Sequence, residues 1–481
     1  MARLHSSLQN KEFWYKDLLI SCDNLPDFER DDVNIESRLS KHIVLKTPII
    51  SSPMDTVTEH EMAILMALMG GIGVIHYNMT PKEQAGEVEK VKRYESAFVK
   101  KPIILGPKNT VQDVFDIAKE FGFWSIPITE DGTQESKLVG IVTHRDVRYL
   151  ETKREMKLPL SKVMTPKQKL ITARDTQTVN KNDIRAANKI VRKHNVDTLP
   201  IVDAKFRLVA IVTDSDLKKN ETYPLATKDE NKQLKVLAAI ESRMALAKKR
   251  LGENVDSGID GVVIDASIVF AEQLQIAKYI KKNFPNLEVI VGNIASAKML
   301  RQIDKAAGYI DAVRVGIGPG AACITQDQLG IGRAQGSAIW DCASVKSTIP
   351  LIADGGVRGP ADIVKAFALG ASSVMLGGML AGLKESPGDP EFDDSAGHLV
   401  KKYRGMGSTE AMNSGGAVRY RVDNERIRIA EGKVKKVGYK GSGFVYIPTL
   451  AAAIKQSMQK LGFRDVPTVQ KQAEIIPNSL N

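Results

Sequence analysis

The sequence predicts an α/β fold in which eight parallel strands form a TIM (β/α)8 barrel, interrupted by an inserted module of two similar domains. Two observations predict the barrel: eight short runs rich in Val and Ile lie outside residues 95–222, and helical stretches alternate with them. An internal repeat within residues 95–222 predicts the inserted module. A doubly wound open sheet is the alternative, although it gives less reason for eight such units.

Most of the predicted strands are short and continuously apolar, as expected for strands that are buried on both faces of a parallel sheet. Helical segments lie between them, for example at 269–284 and 360–369. The barrel would therefore comprise residues 1–94 and 223–481, with the insert after the second strand and helix. The predicted strands are 47–52, 72–76, 236–240, 261–265, 288–292, 312–316, 350–354 and 373–377.

The composition of the 481 residues is that of an ordinary globular protein, with 43% hydrophobic and 26% charged residues. We expect neither a membrane-spanning helix nor a secretory signal. Three cysteines cannot form a disulfide framework, so a reducing compartment, the cytoplasm, is expected. The net charge of +11 comes without a long basic tract, which favours anionic small ligands over nucleic acid.

The internal repeat consists of two apolar strands around a turn, ending in Thr-x-x-Asp. One copy reads SIPI at 125–128 and LVGIVTHRD at 138–146, and the other reads TLPI at 198–201 and LVAIVTDSD at 208–216. Amphipathic helices at 110–121 and 183–194 precede them. We expect the first domain of the insert at 95–158 and the second at 159–222.

This module resembles a pair of CBS domains. The resemblance implies that Thr143 and Asp146 in the first copy, and Thr213 and Asp216 in the second, hold the ribose and phosphate of a purine nucleotide that regulates the protein. Helix capping is the alternative role for these residues, because Thr and Asp are favoured at helix N-termini.

A loop that follows the sixth predicted strand carries the strongest candidate for a nucleophile. Its glycines Gly316, Gly318 and Gly320 allow a tight turn and the close approach of a ligand, and Cys323 follows them. Thr325, two residues further on, could relay a proton. A cysteine is more often a small buried hydrophobe, but a position at the mouth of a barrel favours a functional role. Cys22 and Cys342 have no such setting, and both are predicted to be structural.

Two glycine pairs follow the last two predicted strands, Gly355–Gly356 and Gly377–Gly378. This is where TIM barrels commonly build a phosphate site from backbone N–H groups. Asp354 precedes the first pair and is suited to accept hydrogen bonds from ribose hydroxyls.

These residues, with SSPMDTVT at 51–58, GGIGVIH at 70–76 and YRGMGS at 403–408, resemble the IMP dehydrogenase/GMP reductase family. The resemblance covers nearly the whole chain. It implies that the Cys323 thiolate attacks C2 of the purine, and that a nicotinamide cofactor exchanges a hydride with the resulting covalent intermediate.

The family also implies further site residues. The purine nucleotide would contact Ser52, Met54, Tyr403, Gly405, Met406, Gly407 and Glu431, together with Asp354 and the glycine pairs. The nicotinamide cofactor would contact Asp265, Ala266, Ser267, Gly316 and Gly318. If the protein is a dehydrogenase, backbone carbonyls of Gly318, Gly320 and Cys323 would hold a monovalent cation.

The direction of the reaction depends on smaller differences. Gly-Pro-Gly at 318–320, the turn at 376–382 and the segment at 415–421 resemble the reductase. The pair Arg419–Tyr420, which activates water in the dehydrogenase, and the segment Glu431–Gly432 resemble the dehydrogenase. The inserted module is also more typical of dehydrogenases.

Two departures from the family pattern concern the loops. Ala321 stands where a phosphate-binding serine is usual, and the segment 265–270 lacks the usual polar and glycine pattern near the cofactor. Glu410 is the candidate acid that would protonate the leaving ammonia of a reductase, although it lies one position out of register.

Taken together, these features favour an NADPH-dependent GMP reductase that converts GMP to IMP and ammonia. The alternatives are an IMP dehydrogenase using NAD and K⁺, and a non-catalytic regulator that binds purine nucleotides. The resemblance further implies a homo-oligomer, a tetramer or an octamer.

Overall fold

The computed structural model describes residues 1–94, 99, 102–178, 184–213, 223–422 and 427–478. The chain forms two compact units. The first comprises Met1–Lys92, Leu225–Thr227 and Leu234–Asn481, and the second comprises Arg93–Pro224 and Lys228–Gln233.

The first unit contains a closed barrel of eight parallel strands, one for each predicted run. The strands follow one another around the barrel in chain order, and β8 closes it by pairing with β1, Met375 opposite Ile50. The predicted TIM barrel is therefore confirmed. The strands are β1 Ile49–Ser51, β2 Ile72–Ile75, β3 Leu237–Glu241, β4 Gly261–Asp265, β5 Glu288–Ile294, β6 Ala312–Val315, β7 Leu351–Asp354 and β8 Ser373–Leu376.

Apolar side chains from all eight strands fill the interior of the barrel. They form one buried cluster, which includes Ile50, Val74, Val263 and Ile352. A hairpin of Ser37–Arg38 and Val44–Leu45 adds Leu39, Ile43 and Leu45 to the same cluster. Because these strands are buried on both faces, they consist almost entirely of apolar residues. This is why the runs could be recognised in the sequence.

Helices surround the barrel, and three buried glutamines on them tie neighbouring strand ends together. Gln84 donates to carbonyls in β2 and β3, Gln273 to carbonyls in β4 and β5, and Gln335 to carbonyls in β6 and β7. These bonds satisfy backbone groups where the ladder ends. The helices are His60–Leu68, Pro81–Tyr94, Met244–Asp256, Ala271–Asn283, Ala297–Asp304, Gln335–Ala343, Pro360–Ala368 and Gly443–Lys460.

Two small sheets extend the first unit. The strands Glu391–Asp393, His398–Arg404 and Val434–Gly438 form an antiparallel sheet after β8. Arg3–Leu4 and Leu18–Ile20 pair with Glu474–Pro477, near the other end of the chain. Within the described residues, no helix combines the length and apolar character needed to cross a bilayer.

The second unit repeats one arrangement twice. Val111–Phe121 precedes a sheet built on Ile126–Thr129 and Leu138–Val142, and Ile184–His194 precedes a sheet built on Thr198–Val202 and Leu208–Thr213. Each half has its own buried cluster. The assignment of these halves as CBS domains with bounds at 95–158 and 159–222 stays a prediction.

Candidate active site

A cavity opens at the carboxyl ends of the barrel strands and collects residues from distant parts of the sequence. Sixteen of the predicted catalytic, substrate, cofactor and cation residues line it: Ser52, Met54, Ser267, Gly316, Gly318, Gly320, Cys323, Thr325, Asp354, Gly355, Tyr403, Gly405, Met406, Arg419, Tyr420 and Glu431.

The loop after β6 places Cys323 in this cavity. Gly316 (φ +145°) and Gly318 (φ +85°) adopt backbone angles that L side chains rarely adopt. A Cβ on Gly316 would also lie 2.1 Å from the Asp354 carbonyl oxygen, so this position requires glycine. The Cys323 N–H then closes a turn with the Gly320 carbonyl at 2.9 Å, directly before the short helix Thr325–Leu329.

Cys323, Thr325 and Glu431 form a chain of hydrogen bonds. The Thr325 hydroxyl donates to Glu431 Oε2 at 2.8 Å, and its oxygen lies 3.1 Å from Cys323 Sγ. The Thr325 hydroxyl has a single hydrogen, and it points to Glu431. The Cys323 thiol can therefore hydrogen-bond to Thr325 only by donating its own S–H to the hydroxyl oxygen. Burial raises the pKa of Glu431, while the Thr325 hydrogen bond and the Arg419 charge lower it to a lesser extent. The chain can therefore move a proton between the thiol and the carboxyl.

Backbone hydrogen bonds hold Glu431 against the cysteine loop. Its carbonyl accepts from Ile324 N–H at 2.9 Å, and its own N–H donates to Gly407 O at 2.9 Å. On the other side, Lys433 N–H donates to Ala322 O at 2.9 Å. The relative placement of Thr325 and Glu431 is thus determined by main chain rather than by flexible side chains.

A buried ion cluster lies under the cavity. Arg314 donates to Asp265 at 2.5 Å and to Asp354 Oδ2 at 2.7 Å, and Asn293 donates to the same Asp354 oxygen at 2.7 Å. Arg419 forms a second ion pair with Asp265. Burial alone would lower the pKa values of both arginines, but the aspartate charges outweigh it and raise them, so both guanidinium groups stay charged.

This cluster includes Asp265, which the family resemblance places at the cofactor. Asp265 is 0% exposed and both of its carboxylate oxygens pair with arginines, so it does not line the cavity, and its contact with a cofactor stays a prediction. Ala266 is likewise fully buried, and only Ser267 of this segment lines the cavity. The effect of Asp265 on a bound cofactor would pass through Arg419 and Arg314.

Asp354 and the glycine pair after it remain available to a ligand. Among the described residues, the hydrogen bonds of the Asp354 side chain all involve Oδ2, which leaves Oδ1 for another donor. Gly355 (φ +87°) and Gly356 (φ +79°) follow it, and within the described residues their N–H groups donate to no protein acceptor. Two successive free N–H groups beside a carboxylate are suited to a ribose phosphate.

Other predicted residues lie behind the cavity wall. A Cβ on Gly377 would lie 3.0 Å from Tyr403 Oη, and one on Gly378 would lie 3.3 Å from the Tyr403 ring, so this pair packs under the tyrosine. A Cβ on Gly407 would lie 2.6 Å from Tyr420 Oη. Gly377, Gly378 and Gly407 therefore shape the wall without lining the cavity.

Glu410 does not line the cavity either, so its position gives no support to its expected role as an acid, which stays a prediction. Its side chain is 50% exposed and pairs with Lys402 and Arg404. It lies on the helix Thr409–Asn413, and the Lys402 hydrogen bond lowers its pKa, so it is ionised and unsuited to protonate a leaving group.

The remaining cysteines differ from Cys323. Burial raises the pKa of Cys342 to about 12, so that thiol is protonated and inert. Cys22 is exposed. Of the three cysteines, only Cys323 lines the cavity.

Sequence reasoning missed Arg314 and Asn293, which both line the cavity. A signal for Arg314 was present, because an arginine inside the otherwise apolar strand Ala312–Val315 needs buried carboxylate partners. Asn293 stands near the end of β5, and its Oδ1 is buried without a hydrogen-bond partner among the described residues. That acceptor is available to a ligand.

In the second unit, Thr143 and Asp146, which are predicted to bind a nucleotide, form a helix cap. The Thr143 N–H and hydroxyl both donate to Asp146 Oδ2, at 2.7 and 2.8 Å, before the helix His144–Val147. Thr213 ends its strand, and Asp216 lies outside the described residues. Nucleotide binding by these four residues stays a prediction.

Comparisons with known proteins show which family this chain resembles along its length. The family model described as the IMP dehydrogenase / GMP reductase domain matches residues 12–480. The inosine-5'-monophosphate dehydrogenase of Schizosaccharomyces pombe is 43% identical over 92% of this chain and 83% of its own length. That of Toxoplasma gondii is 36% identical over 96% and 91%.

Among solved structures, GMP reductase from Trypanosoma brucei in complex with guanosine 5'-monophosphate is similar, with a TM-score of 0.87 and 29% identity, covering 98% of this chain and 97% of that one. The same reductase in complex with guanosine 5'-triphosphate has a TM-score of 0.80 and 27% identity, covering 98% and 99%.

Proposed function

The chain belongs to the IMP dehydrogenase/GMP reductase family of oxidoreductases, and we propose that within this family it oxidises IMP to XMP with NAD. One observation carries the direction of the reaction. Arg419 and Tyr420, the pair expected to activate water, line the cavity beside Cys323, whereas Glu410, the acid expected of a reductase, lies outside it. The similarity to dehydrogenases from two organisms supports the same direction.

The nucleotide would bind with its phosphate and ribose along β7. The free N–H groups of Gly355 and Gly356 suit the phosphate, and Asp354 Oδ1 suits a ribose hydroxyl. Tyr403 and Met406 line the same cavity and supply apolar surface for a flat purine. This placement would bring C2 of the purine towards Cys323.

The covalent step begins with Cys323. Its thiol proton would pass to Thr325 and Glu431 as Sγ bonds to C2 of the purine. Sulfur addition moves the C2=N3 π electrons to N3; the hydrogen on C2 then leaves as a hydride, for which bound NAD would be the acceptor, the double bond re-forms, and a thiol-linked purine remains. Water next adds to C2 and gives up a proton, the C2–S bond breaks, and the sulfur departs as thiolate. The product carries oxygen at C2.

The residues at the cavity fit a nicotinamide cofactor. The unpaired Asn293 Oδ1 and the Ser267 hydroxyl are suited to the amide or ribose of such a group, beside Gly316 and Gly318. When bound, NAD supplies the hydride acceptor. The carbonyls of Gly318, Gly320 and Cys323 would hold a monovalent cation, for which oxygen donors are the suitable ligands.

Arg419 and Tyr420 would act in the hydrolytic step. The ion pair with Asp265 holds the Arg419 side chain at the cavity wall, and burial raises the pKa of Tyr420 so that its hydroxyl stays protonated. The pair can orient a water molecule towards C2, and a hydrogen-bond donor there stabilises the departing thiolate.

GMP reduction is the second candidate, and a specific observation favours it. The raised pKa of Glu431 and its hydrogen bond to Thr325 make Glu431, rather than Glu410, suited to protonate ammonia as it leaves C2. The structural similarity to a GMP reductase is consistent with this reading, as are Gly-Pro-Gly at 318–320 and the segment 376–382. In that direction NADPH would be the hydride donor.

A single absorbance assay separates these functions. The purified protein is mixed either with IMP and NAD or with GMP and NADPH, and the absorbance of the reduced nicotinamide is followed. A rise with the first pair supports the dehydrogenase and a fall with the second pair supports the reductase. No change with either pair would support a non-catalytic regulator.

We also retain the remaining expectations as proposals. These are regulation by purine nucleotides at the second unit, assembly into a tetramer or octamer, and residence in the cytoplasm. The related reductase crystallised with guanosine 5'-triphosphate supports the first of them.

A further inference from the structure

A second cluster of potential ligands lies at the amino-terminal end of the barrel, away from the cavity. Glu288 is the first residue of β5, and Asp311 directly precedes β6. His42 lies in the turn of the hairpin that carries Leu39 and Ile43 into the barrel core. One nitrogen of the histidine and one oxygen of each carboxylate all lie within 4.8 Å of one another.

The two carboxylates are buried, whereas the imidazole is exposed. The side chains of Glu288 and Asp311 are only 5% and 3% exposed, against 70% for His42. His42 Nδ1 lies 2.7 Å from Glu288 Oε1 and 4.0 Å from Asp311 Oδ1. The hairpin is held here by a 3.1 Å hydrogen bond from Lys41 N–H to the Asp311 carbonyl, so the imidazole is positioned over both acids.

One oxygen of this cluster lacks a partner. Glu288 Oε2 is buried and finds no hydrogen-bond partner in the described part of the chain. Burying a carboxylate oxygen without compensation is costly, and such an oxygen commonly marks the place of an ion or ligand. It belongs to the carboxylate that His42 contacts, so it can join the same ligand set.

Two donors hold Oδ2 of Asp311, and this leaves its other oxygen, Oδ1, oriented as a metal ligand would be. Lys281 Nζ and Val289 N–H both approach Asp311 Oδ2, at 2.7 and 2.8 Å. This orients Oδ1 towards His42, and supporting hydrogen bonds of this kind usually accompany ligating carboxylates. The positive charge of Lys281 also offsets one of the two negative charges of Glu288 and Asp311. Without it, a divalent ion would have to balance both carboxylates alone.

We propose that His42, Glu288 and Asp311 form a binding site for a zinc-like divalent cation that links the hairpin to the bottom of the barrel. One imidazole nitrogen with carboxylate oxygens is a donor set that Zn²⁺ accepts, whereas Mg²⁺ and Ca²⁺ prefer oxygen alone. Neighbouring ligand atoms around tetrahedral Zn²⁺ lie about 3.4 Å apart, so the 2.7 Å contact must widen and the 4.0 Å contact must shorten. The exposed imidazole can make this adjustment.

The test uses the full-length protein, freed of metal by a chelator and titrated with Zn²⁺ in a calorimeter. His42→Gln removes the nitrogen ligand at an exposed position, so this variant should fold normally. Glu288→Gln removes the carboxylate charge at constant shape. His60→Gln is the matched control, because His60 also lies 2.7 Å from a carboxylate, Glu87, without being in a three-ligand group among the described residues.

We expect one equivalent of Zn²⁺ to bind the wild type and His60→Gln and to raise their melting temperature. His42→Gln should lose this equivalent, and Glu288→Gln should bind at least tenfold more weakly. Mg²⁺ should not compete. Equal Zn²⁺ binding by the wild type and His42→Gln, or no equivalent in either, would overturn the proposal. With Co²⁺ as the probe, a thiolate charge-transfer band that survives in His42→Gln would assign the binding to a cysteine instead.

Discussion

The Thr325 hydroxyl donates a 2.8 Å hydrogen bond to Glu431, a residue 106 positions further along the chain, and the same oxygen lies 3.1 Å from the Cys323 sulfur. This contact joins a thiol, a hydroxyl and a carboxyl whose pKa is raised by burial. It provides a path for a proton in either direction of the reaction.

Cys323→Ala should abolish turnover while the nucleotide still binds. Only the sulfur can form the bond to C2, whereas the proposed phosphate and ribose contacts lie on Gly355, Gly356 and Asp354. Initial rates and calorimetric titration with IMP and GMP check both parts. A rate within about tenfold of the wild type, equivalent to ~1.4 kcal/mol, would exclude the covalent mechanism.

Arg419→Gln should slow hydrolysis and leave hydride transfer in place if the protein is an IMP dehydrogenase. Asp265 keeps its ion pair with Arg314 in this variant, so the site should stay folded. Rapid mixing with IMP and NAD should then show a burst of reduced cofactor followed by little turnover. Arg421→Lys is the control, because Arg421 pairs with Glu272 and does not line the cavity. If the substitution lowered the burst of reduced cofactor and the steady-state rate by the same factor, this would argue against a hydrolytic role for Arg419.

Asp354→Asn should weaken nucleotide binding by ~1.5–3 kcal/mol, because a charge-assisted hydrogen bond to ribose is lost. It should also lower the free energy of unfolding, since Arg314 is 1% exposed and would lose one of its two carboxylate partners. Binding titrations and denaturant unfolding measure the two effects separately. A destabilised variant with unchanged affinity would show that Asp354 serves only the ion cluster.

Glu431 should make the stability of the protein depend on pH with a defined sign. Since its pKa is raised on folding, the folded state binds more protons than the unfolded state between the ordinary glutamate value and the raised value. The free energy of unfolding of the wild type, relative to Glu431→Gln, should therefore fall as pH rises through that window.

Glu410→Gln is the matched control for this measurement. The Lys402 hydrogen bond lowers the pKa of Glu410, so the stability that Glu410 contributes should be present above the ordinary glutamate pKa and be lost as pH falls through its lowered value. Unfolding curves for the three proteins at several pH values provide both comparisons. A wild type that follows Glu431→Gln at every pH would show that Glu431 is not buried as described.

Deleting residues 95–222 should leave an active barrel that no longer responds to purine nucleotides. All eight barrel strands and the residues that fill the barrel lie outside the deleted segment. Activity is titrated with ATP, GTP and GMP in the intact and shortened proteins. Asp146→Ala combined with Asp216→Ala should reproduce the loss of response, and an unchanged response in either protein would contradict the regulatory role.

The barrel could be predicted because its signal is local. Each strand is a short run of residues buried on both faces, so Val and Ile accumulate in it whatever its neighbours are. The loop of Cys323 was also recognisable, since the positive φ angles of Gly316 and Gly318 require glycine. The repeat in the second unit was visible for the same reason, as each copy carries its own apolar strands.

The ion cluster could not be predicted in this way. Asp265 and Arg419 are 154 positions apart, and only the closed barrel brings them together. A sequence pattern can show that an aspartate ends a strand, but not whether its carboxylate faces a ligand or an arginine. For the same reason the sequence could not show that Glu410 pairs with Lys402 outside the cavity, whereas Glu431 hydrogen-bonds to Thr325.

By itself, the sequence determined the barrel, the repeat and the family, and it supplied Cys323 as the candidate nucleophile, because these depend on local residue types and on motifs in a given order. Only the tertiary structure decided which polar groups face the cavity, which are held by buried counter-charges, and where His42, Glu288 and Asp311 meet. The physical reason is that the state of a charged side chain depends on its desolvation and on its nearest opposite charge, and both arise from residues distant in sequence.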